Sequence, residues 1–151
     1  MQSSLLLIQF ASQNIALFSC ALFAGAATYV SLVEHPTMDE GGRELTGSYI
    51  LLAQPRPAFF QTSFAVIGSL AGISAGVTGS AVWWLAGGLV LGVAALLQLY
   101  VVIPETRRLV ETATSGDPKE SGLFSLGRLT RLHAMQSLAG LAALFMFIMK
   151  S

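Results

Sequence analysis

Two histidines border long apolar stretches of this chain, and their neighbours decide which imidazole chemistry each suits. His133 follows Arg131 by two residues, so on a helix it lies roughly 3 Å deeper along the axis than that arginine. Gln136 and Ser137 fall one turn further in on the same side, which gives this helix a polar stripe directed at neighbouring helices. His35 closes a second stripe, Ala24, Thr28, Ser31 and His35, whose spacing is again helical. Glu34 precedes it and points about 100° away around a regular helix, and Pro36 is expected to end that helix. Three uses fit such histidines. One is a general base, a second is a pair of axial ligands to haem or a metal ion, and the third is a structural hydrogen bond to a carbonyl or a partner helix.

Further polar groups recur at a similar distance from the charged segments. Gln98 and Tyr100 stand shortly before Pro104 and the basic pair Arg107 and Arg108, and Gln61 lies one turn beyond Pro57. Each apolar stretch is thereby expected to send a polar side chain toward one mouth: His35, Gln61, Tyr100 and His133. Thr28, Ser31, Glu34, Gln61, Gln98 and Gln136 are the candidate substrate contacts around it.

The elements that must position these groups are membrane spans. The 151 residues are 54% hydrophobic, and every Asp, Glu, Lys and Arg except Lys150 lies within residues 34–56 or 105–131. A charged fraction of 11% is less than half the ~25% usual for a soluble domain. A crossing helix needs about 20 mostly apolar residues, and four stretches qualify: 5–33, 58–77, 81–103 and 132–149. Thr78-Gly79-Ser80 separates the middle two as a tight turn. The expected fold is all-α, a single polytopic membrane domain over residues 1–151 in which four transmembrane helices form an up-down-up-down bundle. Both charged loops then share one side. Arg43, Arg56, Arg107, Arg108, Lys119, Arg128 and Arg131 oppose only Lys150, which predicts cytoplasmic loops and termini on the outer or lumenal side.

Smaller features complete the expected bundle. Gly68, Gly72 and Gly76, then Gly88 and Gly92, provide close-approach faces at four-residue spacing, with Gly25 and Thr28 doing likewise in the first span. Packing within one bundle accounts for these faces; a homo-oligomer is also compatible with them. Residues 44–54 suit a short helix lying on the membrane, Pro55 and Pro57 fix the start of the second span, and 115–118 suit a loop tip. No repeat, low-complexity tract or linker is visible.

Several classes fall away. Eight basic residues with no dense run, balanced to zero net charge, give no electrostatic basis for nucleic-acid binding. One cysteine, Cys20, can form neither an internal disulfide nor a thiolate zinc site, and reads as a packing residue. The Ala24-Gly25-Ala26 segment looks like a cleavage site, but no basic residue precedes an apolar run too long for a signal core, so it reads as part of a span. There is no Ser-His-Asp order, phosphate-binding glycine loop or Glu-x-x-His pair of the di-iron type.

Three segments resemble one family: GAATYVSLVEHP from Gly25 to Pro36, PETRRL from Pro104 to Leu109, and RLTRLHAMQSLAGLAA from Arg128 to Ala143. In order and spacing they are similar to DUF1772, the anthrone oxygenase-like family of small four-span membrane proteins. The resemblance implies oxidation of a planar hydrophobic anthrone to a quinone by O2, with no cofactor expected. It matches His35 with Pro36, Arg108 with Leu109, and His133 to the family's motifs. For that reaction, at the mouth read above, His133 is the expected base, and His35 or Tyr100 with Arg108 is expected to stabilise the enolate. The chain differs from the family pattern at Thr106, Leu129 and Gln136, where Asn, Trp and Arg are frequent. The competing expectations are a redox membrane protein holding haem or a metal ion between His35 and His133, and a noncatalytic helper or scaffold of a biosynthetic pathway. On each expectation the partners are the bilayer and a hydrophobic small molecule or cofactor.

Overall fold

The structure, a computed structural model, describes residues 2–37, 55–114 and 121–149. The proposed surface helix at 44–54 and the loop tip at 115–118 lie outside the described residues. Five α-helices account for nearly all of what is described: α1 (Gln2–Tyr29), α2 (Pro55–Val77), α3 (Val82–Leu97), α4 (Ile103–Thr114) and α5 (Ser121–Ile148). Two π-helical turns occur as well, π1 over Val30–Glu34 directly after α1 and π2 over Gln98–Val102 between α3 and α4. Four helical stretches are long and apolar enough to cross a membrane, Ser3–Thr37, Ala58–Val77, Val82–Arg108 and Gly127–Ile148. The protein is an all-α, four-span membrane bundle.

The helices pack around a square, α1 against α2 and α5, and α3 against α2 and α5. Small residues set that spacing. A methyl group added at Gly88 would meet Ile73 N at 2.7 Å and Gly72 C at 3.0 Å, so α2 and α3 touch backbone to backbone. At the α1–α5 contact the Cys20 thiol reaches Gly140 O at 3.5 Å. The glycine faces are thus consumed within the bundle, except Gly25, which has open space around its Cα and joins no contact face. Phe23, Trp84, Leu91 and Phe147 fill the centre, with Trp84 stacked on Phe147 at 4.9 Å. Large apolar residues such as Leu7, Phe18, Leu70, Val93 and Phe145 cover the outside, as a lipid solvent requires.

The turn between α2 and α3 follows from its residues. Gly79 adopts φ +102°, where a side chain would be strained, and Ser80 N–H returns to Ala75 O at 3.1 Å in a Schellman ending. Gln9 and Gln13 both donate to Ser80 Oγ, at 2.9 and 3.0 Å, and Ser12 pairs with Ser74. The start of α1 is thereby tied to this turn, and the far end of α1 is left to meet the first half of α5.

Prolines do not end the helices here. The helix of π1 runs on through Pro36 to Thr37, and that of π2 through Pro104 into α4. In each case five π-turn residues and one further residue precede the proline. A proline ring collides with the carbonyl four residues back, which here belongs to Leu32 or Tyr100. A π turn relieves the collision: His35 N–H bonds to Val30 O and Ile103 N–H to Gln98 O, one residue further back than in an α-helix.

That correspondence extends beyond the two turns. Ser69-Leu70-Ala71-Gly72 in α2 and Ser137-Leu138-Ala139-Gly140 in α5 are identical, and they stand at the same offset along the chain as π1 and π2. The offset also carries the Gly72–Gly88 approach onto that of Gly140 and Cys20. Two helix pairs with one pattern of contacts therefore make the bundle. The repeat was hidden in the sequence because few positions besides Pro and the Ser-Leu-Ala-Gly run are retained.

Candidate functional site

The histidines meet. His35 Nε2 lies 3.0 Å from His133 Nδ1, with ring centroids 4.9 Å apart and ring planes inclined at 51°. Both side chains are buried, 1% and 3% exposed. His35 follows directly on π1, and both it and Glu34, the last residue of that turn, are buried. One turn deeper, Ser31 Oγ and Ser137 Oγ are 2.8 Å apart, and Ser137 donates to His133 O at 3.0 Å. The Ser31–Ser137 bond ties π1 to α5 at the level of the pair.

The hydrogen-bond partners select the tautomers. His133 Nδ1 is 3.1 Å from Leu129 O, an oxygen that only accepts, so Nδ1 carries the proton. For two neutral imidazoles, His35 Nε2 must then accept from the same N–H, and the His35 proton sits on Nδ1, 3.2 Å from Thr130 Oγ1. Both contacts of His133 use Nδ1. The basic lone pair of His133 is therefore on Nε2, the nitrogen neither contact occupies.

Next to the pair is a second buried couple. Gln136, one turn along α5 from His133, donates from Nε2 to Gln98 Oε1 of π2. Gln98 and Gln136 are each 1% exposed, yet Gln98 Nε2 and Gln136 Oε1 have no partner. Gln61 Nε2, Thr28 Oγ1 and Glu34 Oε2 are likewise buried without one. Leaving a buried polar group unsatisfied costs about 1–3 kcal/mol, and in a lipid solvent no bulk water offsets it. Trp84 Nε1 in the apolar core is a sixth such atom, and the other five lie on α1, π1, α2, π2 and α5.

The repeated helix pairs supply an internal control. At the positions corresponding to His35, His133, Gln98, Gln136, Gln61 and Glu34 stand Ile103, Ala65, Val30, Gly68, Leu129 and Val102. All six counterparts are apolar. The shared framework packs with apolar residues at these places, so packing alone does not call for the polar set.

Other expectations need correction. Tyr100 is 76% exposed on the outer surface, because π2 turns Gln98 and Val102 inward and its middle residues outward. The third span sends Gln98 inward instead. Arg108 is also exposed and lies 4.0 Å from Glu105, which reaches Arg128 at 3.8 Å, so this cation serves an ion-pair cluster beyond the bundle core. The structure brings together His35, His133, Ser31, Gln98 and Gln136; it places Tyr100 and Arg108 elsewhere. Thr130 and the Leu129 carbonyl were missed, although both lie within one turn of His133 on its own helix.

As it stands the histidine pair leaves no gap for a porphyrin between its rings, since the two nitrogens share a proton. Among the described residues, no group of three or more His, Cys, Asp or Glu side chains gathers to hold a metal ion. The arrangement is an oriented imidazole pair with, one turn along α5, an amide couple that keeps unpartnered atoms in an apolar bundle. No family model, curated protein or solved structure matches the chain.

Proposed function

We propose that this chain is a membrane-embedded oxygenase that oxidises a planar hydrophobic aromatic of the anthrone type with O2. The observation that carries the reading is the orientation of His133, held through Nδ1 by Leu129 O and His35 Nε2 so that Nε2 is the basic atom. The resemblance at His35-Pro36 and around His133 supports the same chemistry.

The reaction needs little more than a base and a place for negative charge. His133 Nε2 takes a proton from the activated methylene, and the substrate becomes an enolate. The unpartnered N–H of Gln98 stabilises the enolate oxygen in a medium of low dielectric, where such a bond is strongest. This amide replaces Tyr100 and Arg108 in the role first expected of them. The Nδ1 proton can shift to His35 Nε2 as the base becomes charged, with Thr130 accepting from His35 in turn. The enolate gives one electron to O2, the resulting radical and superoxide combine to a peroxide anion on the same carbon, and the proton held by His133 returns to make it a hydroperoxide. Its O–O bond breaks as the second methylene hydrogen leaves. One oxygen remains as the quinone carbonyl and the other departs in water, so O2 takes up all four electrons.

A planar apolar substrate would enter from the bilayer, and the charged segments flanking the site would face the cytoplasm by the distribution of basic residues. The test is anthrone added to purified protein in lipid nanodiscs under air, with oxygen uptake and the absorption spectrum followed together. Uptake at one O2 per quinone formed is expected. A Soret band on the purified protein with no uptake would favour the haem reading instead.

A further inference from the structure

We infer that Gln98 and Gln136 form a bracket for a hydroxyl group, making the ligand of this site a phenol or enol. The inference rests on the oxygenase reading only for the identity of the wider substrate, because the bracket itself is defined by the two amides.

The bond between the amides decides what they have left to offer. Gln136 Nε2 donates to Gln98 Oε1, and both side chains are almost wholly buried. A primary amide has a donor side and an acceptor side. Their one bond engages Gln136 Nε2 and Gln98 Oε1, so the nitrogen of one amide and the oxygen of the other are the atoms left with no partner at all, Gln98 Nε2 and Gln136 Oε1. The conclusion does not depend on amide orientation. If both amides were turned over, the bond would reverse and the residual pair would again be one donor and one acceptor.

A group that satisfies both must accept and donate from one small centre. A hydroxyl does so, with its oxygen accepting from Gln98 N–H and its hydrogen donating to Gln136 C=O. A bare carbonyl, the keto form of an anthrone included, satisfies Gln98 alone and leaves the Gln136 oxygen buried and unpaired, so an anthrone fits the bracket as its enol. An ether has the same defect, and a hydrocarbon satisfies neither. The bracket thus discriminates by hydrogen-bond complement, the kind of selection that rejects an analogue lacking the hydroxyl most strongly.

Location agrees with this use. Gln136 lies one turn from His133, about 4.5 Å along the axis, so a hydroxyl held by the bracket places an aromatic ring beside the histidine pair. In the repeated helix pair the corresponding residues are Val30 and Gly68, which can form no bracket.

The test uses binding, not turnover. The full chain in nanodiscs is titrated with 2-naphthol and with 2-fluoronaphthalene, which is of similar size but has no donor, and partition into empty nanodiscs is subtracted. The expected result is at least tenfold tighter binding of the naphthol, the size of a ~1.4 kcal/mol penalty for unpaired buried groups. Replacing both amides together, Gln98→Met with Gln136→Met, removes donor and acceptor at once and is expected to abolish the preference. Equal affinity for the two probes in the wild-type protein, no binding of the naphthol beyond partition, or a preference that survives in a folded double variant would overturn the inference. The wild-type comparison decides even if the double variant does not fold. His133→Ala is expected to retain the tenfold preference. A protein that shows the preference but never consumes oxygen with anthrone would refute the oxygenase reading and leave the bracket standing.

Discussion

His133 donates its Nδ1 proton toward His35 Nε2 across 3.0 Å, inside a bundle whose framework elsewhere provides apolar residues at the corresponding positions. Within a membrane, a pair of this kind is expensive to maintain without a task. Its geometry fixes one imidazole as the support and the other as the base, which leads to separable expectations for the two.

His35→Leu removes the acceptor of that bond while Leu129 O still holds His133 Nδ1. The base keeps its tautomer and loses part of its orientation and its route for charge. Anthrone-dependent kcat should fall about tenfold, the kinetic equivalent of ~1.4 kcal/mol, with KM little changed. His35→Gln, whose carbonyl can accept the same proton, should recover part of the loss. Steady-state oxygen uptake separates the three proteins.

Pro104→Ala takes away the ring that forces π2. An α-helix is the expected replacement, and it rotates Gln98 away from Gln136 by about 100° for the one residue of lost register. Melting temperature should hold or rise, since proline in a helix interior is unfavourable, while oxygen uptake falls at least tenfold. A fall in both together would mark the π turn as structural only.

Gly88→Ala should destabilise the bundle by about 1–3 kcal/mol, because the new methyl meets backbone atoms of α2 that cannot yield independently. Gly25→Ala meets nothing and should be neutral or slightly stabilising, as an alanine in a helix is preferred to glycine by ~1 kcal/mol. Thermal unfolding of the two variants in the same detergent gives the comparison.

Tyr100→Phe and Arg108→Ala should leave oxygen uptake within about twofold of wild type, since both side chains are exposed on the outside of the bundle. A hundredfold loss in either would return them to the site and require a different arrangement of π2 and α4 during turnover.

The spans were legible in the sequence because apolar runs bounded by charge have one reading in a long uncharged chain. So were His133 and Gln136, whose shared face follows from helical spacing alone. Pro36 misled, since a proline is usually a stop and a wider turn can relieve its collision. The π2 turn before Pro104 has no signal of its own in the residues, and with it Gln98 faces inward where Tyr100, the more familiar catalytic side chain, was expected. The Ser-Leu-Ala-Gly match was present in the residues but too short to be noticed without the two π turns beside it. The tautomer assignment had no sequence signal, because it depends on the backbone oxygen of Leu129.

The central claim is that His133 Nε2 is the proton acceptor of an oxygen-consuming reaction. The most direct measurement is initial oxygen uptake with anthrone for wild type and His133→Ala in nanodiscs, each corrected for spontaneous oxidation. The account predicts a loss of about 10²–10⁴-fold, the usual contribution of a positioned general base, in a variant that retains helical content and naphthol binding. Uptake equal to wild type in that variant would contradict it.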